Sequence, residues 1–436
     1  MRRLFISLIC IGLFITYATS ACADPPFPRL GALWTGGTRN YQDANVQQQL
    51  ARGSIAVIGV FPGWAGGTGT TVQQVIQNIK SINPNTLVFQ YIDNNEISYD
   101  IAANAALADI YAKLNSMNWY LYENGGSGTI VDSSYTGSWE INNTLWVPPD
   151  ANGDIWVTWY PKWAVQQYYV PNPALDGFFE DNVFWEPRVN GDYNRDGITD
   201  IATNPTTATW WRQGELKQID TLHQLMPGHY QIGNVDWGGA NAIFPELNQQ
   251  LNGGLMEGMI GYSWSFETWG GWTMMMQAYR KVMAAFTAPQ LGMFAQVGSV
   301  TDYQSFRYGF ASCLMDNGYY VFNSSSEYGD APAFDEYNAN LGNSISSPQT
   351  TPWQNGVYRR DFANGIALVN PKGNGAQTVQ LETSYKRLLG NQAPNVNNGQ
   401  TVTSVTLQDR DGLILMRLAP GATPDPPGNV TVTVSH

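Results

Sequence analysis

Two carboxylates, Asp181 and Glu257, each come at the end of a short apolar run. Asp181 lies in the stretch Leu-Asp-Gly-Phe-Phe-Glu-Asp-Asn of residues 175–182, and Glu257 follows Gly-Gly-Leu-Met. Hydrolysis of a glycosidic bond uses two such groups, one protonated and one charged, on opposite sides of the bond. The apolar setting of Glu257 favours a raised pKa and the role of acid, whereas the polar neighbour Asn182 favours a charged Asp181. The sequence therefore predicts Asp181 and Glu257 as a catalytic pair.

Carboxylates are the catalytic groups that this sequence supplies best. It contains no Gly-x-Ser-x-Gly elbow, His-Glu-x-x-His motif, Walker loop or Rossmann glycine fingerprint. It has only three histidines, so a histidine triad or a His-ligated zinc site is poorly supported. No cofactor is therefore expected for the chemistry. The alternative is a structural role, in which Glu257 pairs with an arginine and Asp181 only caps the next segment.

Polar and aromatic residues near predicted strand ends are the expected substrate contacts. Asp93 and Glu96 follow another strand-like run and are well placed to bind sugar hydroxyls. Trp264 and Trp269 lie in a ring-rich stretch just after Glu257, where aromatic rings can stack on apolar sugar faces. A hydrophobic plug is the alternative for these rings. The complete predicted set is Trp64, Asp93, Glu96, Glu180, Asn234, Asp236, Trp264 and Trp269.

Residues 192–200 have the pattern of the first part of a calcium-binding loop. Side-chain oxygen ligands occur at positions 1, 3, 5 and 9, a backbone carbonyl at position 7, and Gly197 at position 6. Position 12 is Thr203 rather than the usual bidentate glutamate, so we expect a weaker site or one completed by a distant acid. The alternative is a polar turn. The predicted ligands of a structural Ca²⁺ ion are Asp192, Asn194, Asp196, Ile198 and Asp200.

The composition favours a neutral, hydroxyl-rich ligand. The 436 residues include 16 Trp and 23 Tyr, while charged residues make up only 13%. Aromatic rings stack on apolar sugar faces and Asn or Gln amides bond hydroxyls, so a carbohydrate is the predicted substrate. The formal net charge of −13 disfavours nucleic acid and anionic membranes as partners, and nothing in the sequence indicates the oligomeric state.

Residues 1–23 have the pattern of a secretion signal. Two arginines precede an apolar run that is too short for a comfortable membrane span. Small residues around Cys22 suit cleavage before Asp24. We therefore expect a mature chain that begins near Asp24, has no membrane span and is secreted or periplasmic. The alternative is a lipoprotein anchored through an acylated Cys22.

Strand-like and helix-like runs alternate along most of the chain, which is typical of parallel βα units. Eight such units predict an α/β fold, a (β/α)8 TIM barrel over residues 24–345. Residues 117–158, with short aromatic strands at 119–122 and 155–158, are expected to form a decorated loop before the fourth strand. The predicted barrel strands are 30–34, 55–61, 86–92, 175–182, 229–234, 253–256, 290–295 and 319–323.

The pattern changes to β-hairpins near residue 353. An Asn-Gly pair at 364–365 and an Asp-Gly pair at 411–412 each separate two alternating runs, which is a strong hairpin signal. They predict a C-terminal antiparallel, β-sandwich-like domain over residues 353–418, packed on the barrel. Residues 419–436 are rich in Pro and Gly and are expected to form a flexible tail.

Several stretches resemble a known family. Residues 176–182 are similar to the Asp-Gly-hydrophobic-Phe-x-Asp-Asp/Asn signature of the hypothetical glycoside hydrolase-like families, closest to the one numbered fifteen. The resemblance covers about residues 30–418. Further similar runs are Asn-Arg-Asp-Gly at 194–197, Tyr-Arg-Arg-Asp-Phe at 358–362, Asn-Gly at 364–365 and Leu-Val-Asn-Pro at 368–371.

The resemblance implies a barrel glycosidase. Related clan D-type barrels place a nucleophilic aspartate after the fourth strand and an acid/base after the sixth, which by position are Asp181 and Glu257. We therefore expect a secreted glycoside hydrolase that cleaves O-glycosidic bonds of a polysaccharide by a retaining two-carboxylate mechanism. Glu180 stands where such families often have an aliphatic residue. The alternative function is a non-catalytic glycan-binding protein on the same scaffold.

Overall fold

Eight parallel strands follow one another round a barrel in chain order. A computed structural model describes residues 24–36, 40–59, 70–101, 105–126, 128–235, 246 and 249–418. The last strand lies beside the first, since the Tyr320 N–H donates to the Arg29 carbonyl at 2.9 Å. The result is a nearly closed parallel sheet, as the alternating pattern predicts. The strands are β1 (Gly31–Trp34), β2 (Ile55–Ile58), β3 (Leu87–Asp93), β4 (Gly177–Val183), β5 (Tyr230–Val235), β6 (Gly253–Ile260), β7 (Leu291–Val297) and β8 (Tyr319–Asn323).

Alternation along the strands decides which side chains face the barrel interior. In β4, Phe179 belongs to the interior cluster, whereas Phe178 packs on the helix side. Because successive side chains of a strand point to opposite faces, Asp181 points inward with Phe179 and Glu180 points outward with Phe178. Other members of the interior cluster are Leu33, Val57, Phe89, Ile232, Leu255, Met293 and Val321.

The described residues contain seven α-helices, one fewer than the eight of a complete (β/α)8 barrel. The fifth helix has the N-terminal cap that the sequence predicts. The Asn204 side chain accepts the Thr206 N–H at 2.9 Å, and Pro205 occupies the first helical position. Among the residues described, no helix combines the length and the apolar composition that crossing a membrane requires. The helices are α1 (Ala44–Leu50), α2 (Val72–Ile82), α3 (Ala108–Met117), α4 (Trp156–Ala164), α5 (Pro205–Leu225), α6 (Phe266–Ala285) and α7 (Tyr303–Cys313).

The segment between α3 and α4 is an excursion at the barrel mouth. Its strand Ser138–Glu140 pairs with Glu96–Ser98, just after β3, in a two-stranded antiparallel ribbon. The strand predicted at 119–122 makes only isolated bridges. The strand predicted at 155–158 is wrong, because Trp156 begins α4. Its aromatic residues recur at helical rather than strand spacing, and Trp156 stacks on Tyr160 with ring centroids 4.7 Å apart.

Five antiparallel strands form the C-terminal sheet. They are β9 (Tyr358–Phe362), β10 (Gly365–Asn370), β11 (Gln377–Arg387), β12 (Thr401–Leu407) and β13 (Asp411–Arg417), in the spatial order β9-β10-β13-β11-β12. They make one sheet rather than the predicted sandwich-like pair. The turn between β9 and β10 falls at 363–364, one residue before the predicted Asn-Gly pair.

The hairpin predicted at 411–412 is wrong. Asp411 pairs with Asn370 inside the sheet, so β13 lies beside β10 and β11 and not in a hairpin with β12. Asp411 instead binds the barrel, because its carboxylate accepts two hydrogen bonds from Arg307 Nη2 of α7, at 2.9 and 3.1 Å. The preceding residue, Arg410, forms a bidentate pair with Glu267 of α6 at 3.0 and 3.1 Å. Arg410, just before β13, and Asp411, its first residue, therefore bind two different barrel helices.

Candidate active site

Asp181 lies near the carboxyl end of β4, with its side chain in the barrel mouth. Tyr91 of β3 donates its phenol proton to Asp181 Oδ2, and the Asn182 N–H donates to Oδ1 at 2.9 Å. Asn182 has a φ of 60°, and the register between β4 and β5 shifts between Glu180 and Val183. The irregular strand end and the two donors together fix the orientation of the Asp181 carboxylate.

Glu257 lies on β6, two strands from Asp181, and also points into the mouth. Its Oε2 accepts from Asn234 Nδ2 at 2.8 Å, and Tyr328 donates its phenol proton to Oε1. Burial raises the pKa of Glu257 and the charge of Asp181 raises it further, while the hydrogen bonds from Tyr328 and Asn234 lower it. Because the charge on Asp181 acts on Glu257, the two carboxyl groups belong to one site.

The backbone bulges directly after Glu257. The register between β6 and β7 shifts between Met256 and Ile260, and Gly258 has a φ of 66°. A Cβ atom at Gly258 would lie 2.1 Å from the Trp264 ring. Glycine at this position therefore allows the Trp264 ring to pack against the strand immediately beside the Glu257 carboxyl group.

Asp93 and Glu96 bring two more carboxyl groups to the same mouth. Burial raises the pKa of Asp93, and the charges on Glu96 and Asp181 raise it further. Burial also raises the pKa of Glu96 to about 7, although a hydrogen bond from the Ser133 hydroxyl lowers it. A protonated carboxyl group donates as well as accepts, which suits the binding of sugar hydroxyls.

An open cleft of about 920 Å³ at the barrel mouth reaches Glu257. Its lining includes Glu257 and Asn234 together with Trp264 and Trp269. Trp264 stacks on Tyr262 with ring centroids 4.3 Å apart, and Trp269 is 66% exposed. Rings held in this way can offer apolar faces to sugar rings. The structure therefore brings four of the predicted site residues together in one cleft.

The remaining rings of the same stretch are core residues. Phe266 and Trp272 are buried, and Trp272 Nε1 donates to the Ser312 hydroxyl at 2.8 Å. A break at Gly271, whose φ is 70°, separates them within α6. For Phe266 and Trp272 the hydrophobic-plug interpretation is the correct one.

Five further residues of the site were not predicted. Tyr135 comes from the excursion and Arg188 from the loop after β4, and both line the cleft. The positive charge of Arg188 lowers the pKa of Glu257. Of the five, only Tyr91 has a usable signal, because strand alternation places it on the same face as Asp93. These five residues are Tyr91, Tyr135, Arg188, Tyr262 and Tyr328. The cleft lining also includes Glu186, Asn190 and Thr203.

Glu180 lies outside the mouth, between the barrel and α5. Its carboxyl group is fully buried and accepts from Asn94 Nδ2 and Gln218 Nε2, each at 3.2 Å. Burial raises the pKa of Glu180 to about 7, although both amides lower it. This geometry contradicts the prediction that Glu180 binds substrate, because strand alternation sends its side chain away from Asp181.

Residues 192–200 form a tight turn whose carboxylates accept backbone N–H groups. Asp192 accepts from Asp196 N at 3.1 Å and from Gly197 N at 2.7 Å, and Asp200 accepts two more. Within the part of the chain that the structure describes, no group of three or more His, Cys, Asp or Glu side chains is arranged to hold a metal ion. The five predicted ligands all lie on this turn: Asp192, Asn194, Asp196, Ile198 and Asp200.

Two predicted substrate contacts, Trp64 and Asp236, lie outside the described residues. The same is true of the secretion signal at 1–23 and of the tail at 419–436. The roles assigned to these residues stay predictions.

The barrel mouth has the groups that acid–base chemistry on a sugar requires. Asp181 accepts two hydrogen bonds, which orient its carboxylate for attack. Burial raises the pKa of Glu257 above that of an ordinary glutamate, which suits a proton donor. Two carboxyl groups that face one barrel mouth can act as a nucleophile on a sugar carbon and as the proton donor to the oxygen that leaves it.

Comparison with known proteins gives one family match and several distant structural likenesses. The solved structures include the GH36 α-galactosidase AgaA from Geobacillus stearothermophilus, with 10% identity, a TM-score of 0.43, and coverage of 90% of this chain and 56% of that one. An α-amylase from Anoxybacillus has 9% identity and a TM-score of 0.45, with 88% and 90% covered. The cycloalternan-degrading enzyme from Trueperella pyogenes has 12% identity and a TM-score of 0.47, with 92% and 62% covered.

The chain thus spans little more than half the length of the α-galactosidase. The comparison with curated proteins finds no match. The model of hypothetical glycosyl hydrolase family 15 matches residues 80–366, a segment that contains both Asp181 and Glu257. Since this match covers more than half of the sequence, the chain belongs to hypothetical glycosyl hydrolase family 15.

Proposed function

We propose that the chain is a secreted glycoside hydrolase that cleaves O-glycosidic bonds of a polysaccharide with retention of configuration. Membership of the family supports glycosidase activity in general. The single observation that carries the finer proposal is that Asp181 on β4 and Glu257 on β6 point into one mouth of the barrel from next-but-one strands. A nucleophile and a proton donor on two sides of the glycosidic bond are the minimum equipment for this reaction.

In the proposed mechanism, Asp181 is the nucleophile and Glu257 the acid and then the base. Asp181 attacks the anomeric carbon while Glu257 gives its proton to the oxygen of the leaving sugar, so the glycosidic bond breaks as the Asp181–carbon bond forms. Glu257 then takes a proton from a water molecule, whose oxygen displaces Asp181 from the same carbon. Tyr91 and Asn182 hold Asp181 in place for both steps.

The cleft supports a polymeric and neutral substrate. It is open to solvent and large enough for more than one sugar ring, at about 920 Å³. Trp264 and Trp269 line the cleft and offer ring faces to sugars. Asp93 and Glu96 are not part of this lining; in the proposal they offer acceptors and donors to hydroxyl groups elsewhere in the mouth, where burial raises the pKa of both. The acidic mouth and the net charge of −13 disfavour an anionic sugar.

Secretion is part of the proposal and is supported by the arginines, apolar run and small residues of 1–23. Cleavage is expected before Asp24, so that the mature chain begins near this residue. Mass spectrometry of the N-terminus of the native protein measures this directly. A diacylglyceryl group on Cys22 would replace secretion by the lipoprotein alternative.

Hydrolysis is tested on a panel of neutral polysaccharides, with reducing ends counted for wild type and Asp181→Asn. We expect new reducing ends with wild type on at least one glycan and at least 100-fold fewer with Asp181→Asn. Melting temperature controls for folding. Binding of a glycan by the wild type without any turnover would favour the glycan-binding alternative and reject catalysis.

A further inference from the structure

A second ring-lined groove lies at the start of α5, outside the catalytic cleft. It has a volume of about 580 Å³. Trp146 and Trp210 form a corner, with ring centroids 5.8 Å apart and ring planes at 69°. Trp146 is 53% exposed, an unusual degree of exposure for a tryptophan in a protein that buries most of its large rings.

The loop that carries Trp146 is held rigidly. Asn143 Nδ2 donates to Glu215 Oε1 of α5 at 2.6 Å, and both side chains are buried. A Cβ atom at Gly214 would lie 1.7 Å from the Asn143 carbonyl oxygen, so the loop backbone rests directly on the helix. The next residue, Thr144, is also buried, and its hydroxyl lies 2.7 Å from Asn142 Oδ1 and 3.0 Å from the Tyr193 carbonyl oxygen, either of which can accept its proton. The exposed ring of Trp146 is therefore presented by a fixed support, which lowers the entropic cost of binding a ligand.

The chemistry of the groove suits a neutral sugar. Thr206, Thr209 and Gln213 stand beside the two rings, and none of the described residues that line the groove is charged. Rings at a corner can cover one apolar sugar face, while hydroxyl and amide groups bond the equatorial hydroxyls. A protein partner would instead be expected to bind an apolar patch larger than this groove.

The groove and the catalytic cleft are neighbours. Thr203 lines the cleft and Thr206 lines the groove, and the two flank the Asn204 cap of α5. Since helices of a parallel barrel begin at the face where the strands end, both openings lie on the same face. A glycan chain that leaves the cleft past Thr203 would pass the Trp146 ring.

We propose that the Trp146–Trp210 groove is a second glycan-binding site, which holds a neutral polysaccharide chain beside the catalytic cleft. The inference rests on the proposed function for its ligand class, but binding at the groove does not require turnover. Trp146 and Trp210 provide the stacking surface, and Gln213 provides hydrogen bonds to hydroxyl groups.

The test measures retention of the Asp181→Asn protein on native gels that contain soluble neutral polysaccharides. Adding Trp146→Ala is expected to weaken the apparent affinity by about fivefold to tenfold, the loss expected for one ring contact. Trp146→Phe should recover part of the lost affinity, since an aromatic ring remains. Leu389→Ala, at an 82% exposed residue of the C-terminal sheet, is the matched control and should bind like its parent.

Each outcome of the gel experiment supports or overturns the groove as a glycan-binding site. Equal retention of Trp146→Ala and its parent, or no retention on any glycan, overturns the groove as a glycan site. A dimer in solution that Trp146→Ala dissociates would assign the groove to a second copy of the chain and also overturns it. If the wild type hydrolyses a glycan but Trp146→Ala does not change retention, only the groove is rejected. If Trp146→Ala weakens retention but the wild type hydrolyses no glycan, the proposed enzyme activity is rejected and the groove is supported.

Discussion

Glu180 and Asp181 are consecutive residues of β4, and their carboxyl groups lie on opposite sides of the barrel wall. Asp181 accepts the phenol proton of Tyr91 in the mouth. Glu180 is buried on the other side, against Gln218 of α5. The separation follows from the two-residue period of a strand, since the pairing of β4 with β3 runs without a shift through Asp181. Two neighbouring acids therefore have different chemistry available to them.

The first prediction compares these two neighbours. Asp181→Asn should lower kcat by about 10² to 10⁴-fold, since it removes the only proposed nucleophile. Glu180→Gln, which makes the same chemical change one residue earlier, should keep kcat within about tenfold of wild type. Rates on the best polysaccharide and melting temperatures check both variants. A folded Asp181→Asn protein with wild-type rates would show that the nucleophile has been assigned to the wrong residue.

Sequence patterns predicted best those features that depend on residues close together along the chain. The eight strands, the Asn204 cap and the inward positions of Asp181 and Glu257 follow from alternation and capping, which depend on neighbours along the chain. Tyr328 and Arg188 reach the site from distant loops, so their contribution depends on tertiary packing that no local pattern encodes. The order of the C-terminal strands was missed for the same reason.

The second prediction concerns the pH dependence of kcat/KM. As the acid, Glu257 must be protonated, so activity falls as the pH rises through its pKa. Tyr328 donates to Glu257 and lowers this pKa. Tyr328→Phe removes that donor, so the pKa of Glu257 should rise and the basic limb should move to higher pH.

Tyr262→Phe is the control for this shift. Tyr262 contacts the Tyr328 hydroxyl at 2.6 Å and not Glu257, so its removal should move the basic limb less. The measurement is kcat/KM for the three proteins from about pH 4 to pH 10, a range that spans roughly the ordinary pKa values of glutamate and tyrosine side chains. A basic limb that moves to lower pH in Tyr328→Phe would contradict the assignment of Glu257 as acid.

The third prediction is a pH-dependent stability difference for Glu180→Gln. Burial raises the pKa of Glu180 from the ordinary 4.5 to about 7 in the folded protein. A raised carboxyl pKa contributes stability that is complete below pH about 4.5 and is lost as the pH rises through about 7. Glutamine stays neutral, so the stability of the variant relative to wild type should increase between pH 5 and pH 8, by up to about 3 kcal/mol.

Urea denaturation at pH 5 and pH 8 measures this difference. Glu327→Gln, at an exposed acid, controls for the loss of one negative charge. The same relative stability of Glu180→Gln at both pH values would mean that Glu180 is ionised in the folded protein over the whole range.

The fourth prediction is that calcium stabilises the folded protein through residues 192–200. Asp192 already orders the turn by accepting two backbone N–H groups, and Gly197 adopts a φ of 92°. Ca²⁺ that binds only the native state adds about 2.7 kcal/mol at 100 times its Kd. Melting with calcium and then with a chelator should show a higher melting temperature with calcium, and Asp196→Asn should reduce the shift. No difference between the two conditions would reject the site.

The fifth prediction is retention of configuration at the anomeric carbon. Asp181 and Glu257 project from next-but-one strands into one mouth, and neighbouring strands lie about 4.8 Å apart. Side chains that lean inward shorten the separation to about 5 to 7 Å, a range that straddles the boundary between the two mechanisms. The resemblance to clan D-type barrels favours retention, because those barrels place a nucleophilic aspartate after the fourth strand and an acid/base after the sixth, the positions of Asp181 and Glu257.

Proton NMR of the first-formed product measures the outcome, since the anomeric signal appears before mutarotation. The product should have the configuration of the substrate, and a slow substrate with a good leaving group should leave a sugar covalently attached to Asp181. Asp181→Asn should give no such adduct, which controls for labelling elsewhere. A product of inverted configuration would require Asp181 to act as a base on water instead, and the double displacement would be excluded.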